Sequence, residues 1–183
     1  MTYLALLRGI NVSGQKSIKM AELVKLFESL KFKNVRSYIQ SGNVIFDSPS
    51  LNSLALTSQI ETAIKKKFGF DVHVILRTSD ELKKIVAGNP LLKEKNIQTD
   101  KLHITFLKVT PDKNLISKLE MNEASNEKYI IKNREIYLCC PNGYGKTKLN
   151  NTAFEKKLNV IATTRNWKTT TTLLETNEFR NKS

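Results

Sequence analysis

Cysteine is almost absent from this 183-residue chain, and its two copies, Cys139 and Cys140, are adjacent. Disulfide frameworks and zinc centres need several cysteines or histidines at ligand spacing, so neither is expected, and no metal site is assigned. Histidine is equally scarce. His73 and His103 fall in separate strand-like runs without a Ser-His-Asp or Cys-His pattern, so both are expected to be structural and no catalytic residue is assigned. Acidic residues are few, 17 against 30 Lys and Arg, giving a formal net charge of +13. No apolar run is long enough to span a bilayer. The stretch Tyr3 to Leu7, followed by Arg8 and Gly9, lacks the basic start and apolar core of a signal peptide. A cytoplasmic protein without a membrane partner is therefore expected.

The chain does have an apolar fraction of 40%, and its apolar residues are regularly spaced, which opposes disorder. The basic excess is spread evenly: residues 1–88 carry 13 basic and 7 acidic groups, and residues 89–183 carry 17 and 10. No basic tail stands apart as a nucleic-acid arm. The charge serves solubility, attraction of a small anion, or affinity for polyanions.

Periodicity orders the chain. Thr2–Leu7 reads as a buried strand, and Met20, Leu23, Val24, Phe27 and Leu30 recur at helical spacing. Runs 34–40 and 43–46 flank Ser41 and Gly42 as a tight hairpin. Leu56, Ile60, Ala63, Ile64 and Phe68 mark a second helix closed by Gly69, and 71–76 supplies a strand. This β-α-β-β-α-β order is the split βαβ arrangement of ferredoxin-like folds. Thr78 and Glu81 form a capping box for a linking helix that Gly88, Asn89 and Pro90 stop. A second β-α-β-β-α unit follows from Lys101. Its last helix is given a capping box at Thr152 and Glu155, its closing strand is placed at 160–163, and a terminal helix covers about 166–175. In that helix Trp167, Leu173 and Leu174 are expected in the core. The tail after Asn177 is expected to fray. The fold class is thus α+β, with two ferredoxin-like halves joined by a short helix: residues 1–78, a link at 79–100, and 101–183.

Two connections exceed the usual strand-to-helix length of about 2 to 6 residues. Arg8 to Lys19 contains Gly9-Ile10-Asn11-Val12-Ser13-Gly14-Gln15-Lys16-Ser17, a near miss to a phosphate loop in which Gln15 displaces the lysine. Pro141 to Asn151 contains Gly143-Tyr144-Gly145-Lys146-Thr147, with the right ending but Cys140 where the first glycine belongs. Glycines let a backbone approach a ligand, lysines supply point charges and an arginine grips two oxygens, which suits these loops to an anion. The expected ligand-binding set is Arg8, Gly9, Asn11, Gly14, Lys16, Lys19, Gly143, Gly145, Lys146, Lys148 and Arg165. The first and third strands of each half are taken as parallel, so that loops leaving their ends share one edge. No acid suited to magnesium adjoins the loops, which favours binding over nucleotide hydrolysis.

Four segments together resemble a widespread uncharacterised bacterial family known as domain of unknown function 1697. They are Leu6 to Val12, Tyr38 to Val44, Gly143 to Leu149 and Ala162 to Trp167. The resemblance implies two α+β subdomains, the first ferredoxin-like, and transfers neither an activity nor a catalytic residue. The family usually has two glycines where Ser13-Gly14 stands and often a serine at Thr147. The expectation is a protein that binds a phosphate or other small anion, with its cofactor and oligomeric state unassigned. Weak, sequence-independent nucleic-acid binding and a non-catalytic interaction scaffold are the alternatives. The aromatic signature of RNA-reading sheets is missing from Ser41 to Asp47.

Overall fold

The structure is a computed structural model that describes residues 1–12, 14–119 and 126–178, with the side chains of Asn177 and Glu178 left out. The chain divides into two compact units, Met1–Leu82 with the segment from Thr176, and Lys83–Glu175.

The first unit runs β1 (Thr2–Leu7), α1 (Met20–Ser29), β2 (Lys33–Tyr38), β3 (Asn43–Asp47), α2 (Ser53–Phe68) and β4 (Val74–Thr78), followed by α3 (Ser79–Ala87). Its strands lie in the order β2-β3-β1-β4, every neighbour antiparallel. Successive side chains on a strand point to opposite faces. Tyr3, Ala5 and Leu7 therefore join Val44, Phe46, Val74 and Leu76 in the core built with Leu23 and Phe27 of α1 and Leu56, Ile60 and Ile64 of α2. The alternate set Leu4, Leu6, Ile45 and Ile75 is buried as well. Asn52 caps α2 by accepting the Ala55 N–H, and Gly69 ends it at φ 77°, a left-handed position that glycine fills without a Cβ clash. The capping box of α3 forms as read: the Glu81 carboxylate accepts the Thr78 N–H at 2.8 Å, and Thr78 Oγ1 accepts the Glu81 N–H at 3.1 Å.

The second unit repeats the plan with β5 (Leu102–Leu107), α4 (Lys113–Ser117), β6 (Lys128–Lys132), β7 (Glu135–Cys139), α5 (Asn151–Leu158) and β8 (Ala162–Asn166), before α6 (Trp167–Glu178). Its strand order is β6-β7-β5-β8, again antiparallel throughout. The registers of the two sheets correspond. Leu4 faces Arg77 and Ala5 faces Leu76 in the first, as Ile104 faces Arg165 and Thr105 faces Thr164 in the second. Two four-stranded antiparallel sheets with their helices give the α+β fold of two ferredoxin-like halves.

Several local expectations are corrected. The first and third strands of each half are adjacent but antiparallel, because the third closes a hairpin with the second, which runs parallel to the first, so loops leaving their C-terminal ends emerge from opposite ends of the sheet. Glu155 does not form a capping box with Thr152. Asn150 caps α5 by accepting the Ala153 N–H at 3.0 Å, and the Glu155 carboxylate instead accepts the Ala162 N–H at 2.9 Å, fixing the start of β8. Glu61 does the same for Val74 at 2.8 Å in the first unit. Both closing strands therefore begin where a helix carboxylate catches a backbone N–H, later than the apolar runs suggested. In α6, Leu173 is buried while Trp167 and Leu174 are only half-buried, and Asn166 caps the helix by accepting the Thr169 N–H. Beyond Glu178 the expected frayed tail lies outside the described residues.

Candidate functional site

The first long loop folds on itself. Arg8 N–H donates to the His73 carbonyl and Leu7 N–H to that of Gly42, while Asn11 N–H reaches back to Lys16. The Asn11 side chain acts as a staple: Nδ2 donates to the carbonyls of Ile18 and Gln40, both at 2.9 Å, and Oδ1 accepts the Ile18 N–H at 2.8 Å. The segments Leu6 to Val12 and Tyr38 to Val44 thus meet at one end of the sheet. Gly42 is required there, since a Cβ would stand 2.8 Å from both Leu7 and Ile10. Gly9 and Gly14 lie at φ 68° and 74° with open space where a Cβ would stand. Lys16 Nζ donates to the Asp71 carbonyl at 2.6 Å, and Lys19 is exposed at the start of α1. Arg8, Gly9, Asn11, Gly14, Lys16 and Lys19 are therefore gathered in one loop, with Asn11 and Lys16 engaged in holding it.

The second long loop is built differently. Gly143 adopts φ 87°, and the turn Tyr144–Lys146 that follows leaves Lys146 and Lys148 exposed. Space is open at Gly143 and Gly145. Thr147 is buried and its hydroxyl accepts the Leu149 N–H at 2.9 Å. From this loop the Tyr144 hydroxyl donates to Thr164 Oγ1 at 3.0 Å, and the Tyr144 ring stacks on His103 with centroids 5.0 Å apart. Thr164 in turn donates to Asn151 Oδ1 at 2.6 Å and contacts Thr105 Oγ1 at 2.6 Å. The segments Gly143 to Leu149 and Ala162 to Trp167 meet here, as the other two segments meet in the first unit.

Comparison of the registers shows what is unusual. The helix-facing pair that is Ala5 and Leu76 in the first unit is Thr105 and Thr164 in the second, and His103 takes the place of Tyr3. Apolar core has been exchanged for hydrogen-bonding groups under a basic glycine loop. Thr105 is buried and the other members are half-buried, so their polar atoms need partners, and a departure from core patterning marks a place where something other than stability is being served.

Arg165 sits beside this network, its charge acting on Tyr144. It neighbours Thr164 on β8, so its side chain leaves the opposite face, where Nη1 donates to Thr163 Oγ1 at 2.8 Å and the Thr164 carbonyl at 2.9 Å. Burial lowers its pKa to about 10, which still leaves it charged at neutral pH. Arg77, at the corresponding register position, is also buried and donates to the Leu76 carbonyl at 2.8 Å. Sequence reasoning missed His103, Thr105, Tyr144, Asn151 and Thr164 as a group. The available signal was the threonine pair at positions where the first half has apolar residues, and it requires the register to be seen.

Among the described residues no cluster of His, Cys, Asp and Glu is able to hold a metal ion, and no helix is long and apolar enough to cross a membrane. Residues 1–137 match the family described as "Protein of unknown function (DUF1697)". The matched stretch includes the segments Leu6 to Val12 and Tyr38 to Val44 and ends before Gly143. No curated protein matches the chain. The solved structure of the conserved bacterial protein SP0830 from Streptococcus pneumoniae is similar, with a TM-score of 0.76 at 24% identity, covering 95% of this chain and 97% of that one. At that identity the likeness concerns the fold.

Proposed function

Since the chain belongs to the DUF1697 family, whose description is a protein of unknown function, its role has to be sought in its own atoms, and we propose that it binds a small phosphate-bearing anion at the loop Gly143 to Lys148. The observation that carries this reading is the bond from Tyr144 to Thr164, which ties the basic glycine loop to a hydroxyl network standing where the first unit has plain core. Lys146 and Lys148 supply exposed positive charge, and Gly143 and Gly145 keep the backbone approachable. The first turn of α5 adds its positive end beside Asn151. The first loop, with Arg8, Lys16 and Lys19, is a second basic glycine loop of the same kind, but its Asn11 and Lys16 are already occupied in closing it. Arg165 contributes charge from the far face of β8 rather than a grip.

Thermal shift with phosphate, sulfate, nucleotides and a short oligonucleotide tests the proposal. A ligand that binds only the native state raises the melting temperature by mass action. Phosphate compounds are expected to shift the parent, Lys146→Ala with Lys148→Ala to abolish most of the shift, and the charge-matched Lys156→Ala with Lys157→Ala to retain it. A shift that falls equally in both double variants would reduce the effect to net charge. A response to the oligonucleotide alone would favour polyanion binding.

A further inference from the structure

Of the chain's asparagines, only Asn142 is followed by glycine, and the pair stands at the head of the basic loop that follows β7. The Cys140 carbonyl accepts the Gly143 N–H at 2.9 Å, which closes a turn with Pro141 and Asn142 at its centre. Proline fixes φ near the helical value at Pro141, and Asn142 stays out of the left-handed region, so the turn is of type I. Asn142 is exposed, and Gly143 has open space where a Cβ would stand. An accessible side-chain amide therefore precedes a backbone nitrogen that no neighbouring side chain shields. Lys146 is held close to this turn, since its N–H donates to the Gly143 carbonyl at 3.1 Å.

We infer that Asn142 is a modification site, and that its deamidation weakens the anion loop by placing a carboxylate at its head. The Gly143 nitrogen attacks the Asn142 Cγ, the Cγ–Nδ2 bond breaks, and the proton of the attacking nitrogen leaves with the amine as ammonia. A neutral five-membered succinimide results. Water then opens it, at Cγ to give an aspartyl residue, or at the main-chain carbonyl to give an isoaspartyl residue whose backbone runs through Cβ and Cγ. Either product carries a negative charge where a neutral amide stood. The turn sets the pace. Ring closure needs the Gly143 nitrogen free of Cys140 and the type I turn opened, so the native chain reacts only through local opening and more slowly than the unfolded chain. The attacking nitrogen must also give up its proton, so the rate rises with pH. The effect on ligand binding rests on the anion reading above, whereas the chemistry at Asn142 does not.

The test is to age the full chain in mildly alkaline buffer and map the products by mass spectrometry. Aspartyl and isoaspartyl forms are expected to accumulate at Asn142 ahead of every other asparagine, more slowly in mildly acidic buffer and faster in guanidinium. Asn142→Ser has no amide to close the ring and is expected to stay unmodified there. Calorimetric titration with inorganic phosphate at low ionic strength then reads the consequence. Fresh parent and aged Asn142→Ser are expected to bind alike, while aged parent and Asn142→Asp bind roughly three- to fivefold more weakly, the effect of one nearby unit charge acting through water. Asn142 left intact in the native parent once the unfolded chain is fully converted overturns the inference. Conversion without loss of phosphate affinity overturns its control of the loop. Fresh parent that binds no phosphate overturns the anion reading and that control together, and the mass spectra still decide the modification.

Discussion

At the residue scale the loops separate into groups that hold the fold and groups that face outward. Asn11 makes three backbone bonds that close the first loop, so Asn11→Ala is expected to destabilise the protein by about 1 to 2 kcal/mol, the cost of stranding the N–H and C=O of the buried Ile18 while the exposed Gln40 carbonyl turns to water. Gly42→Ala puts a methyl within 2.8 Å of Leu7 and Ile10 at φ 74° and is expected to cost more than about 2 kcal/mol, whereas Gly145→Ala meets open space and is expected to cost far less. Urea unfolding of the three variants ranks them. Cys140 shows how burial acts on a titrating group. Its thiol is pushed up to about 11, mainly by burial, from an ordinary value of 9.0. The unfolded chain therefore loses this proton first, and stability present below about pH 9 is expected to fall as the pH rises through about 11. Tyr137, pushed up to about 12 by burial, extends the decline. Denaturation at pH 8.5 and 10.5 should show it, with a smaller drop in Cys140→Ala. No change between the two pH values would contradict the burial of both groups.

At the element scale the capping groups explain where sequence reading succeeded. Thr78 and Glu81 were legible because a capping box is a local pattern whose partners lie three residues apart. Thr152 and Glu155 show the same spacing and do something else: Glu155 reaches forward seven residues to Ala162, and Asn150 takes the cap. Such a choice is decided by tertiary position, which spacing does not contain. Asn150→Ala is accordingly expected to cost about 1 kcal/mol and Thr152→Ala close to nothing, measured by denaturant midpoint. Equal losses in the two variants would reinstate the capping box. The strands were legible as elements, from apolar runs and the hairpin at Ser41-Gly42. Their direction was not, since the antiparallel pairing of β1 with β3 and of β5 with β7 follows from the hairpin partner and not from either run alone. The candidate site was half legible for the same reason. Glycines and lysines announce a loop, but Thr105, Thr164 and His103 become notable only when the two registers are compared.

At the scale of the whole molecule, a duplicated plan carries two different long loops. The first unit spends its long connection after its first strand, the second after its third, so the two basic loops are not equivalents of each other. A net charge of +13 attracts anions everywhere, and only localisation distinguishes a site from that background. The most direct measurement is a titration of nitrogen-15-labelled protein with inorganic phosphate at constant ionic strength, read as backbone amide shifts. The account predicts saturable shifts concentrated at Gly143 to Lys148 and the first turn of α5, with the His103 ring responding. Shifts scattered over lysines of both units without saturation, or saturable shifts confined to Arg8 to Lys19, would contradict it.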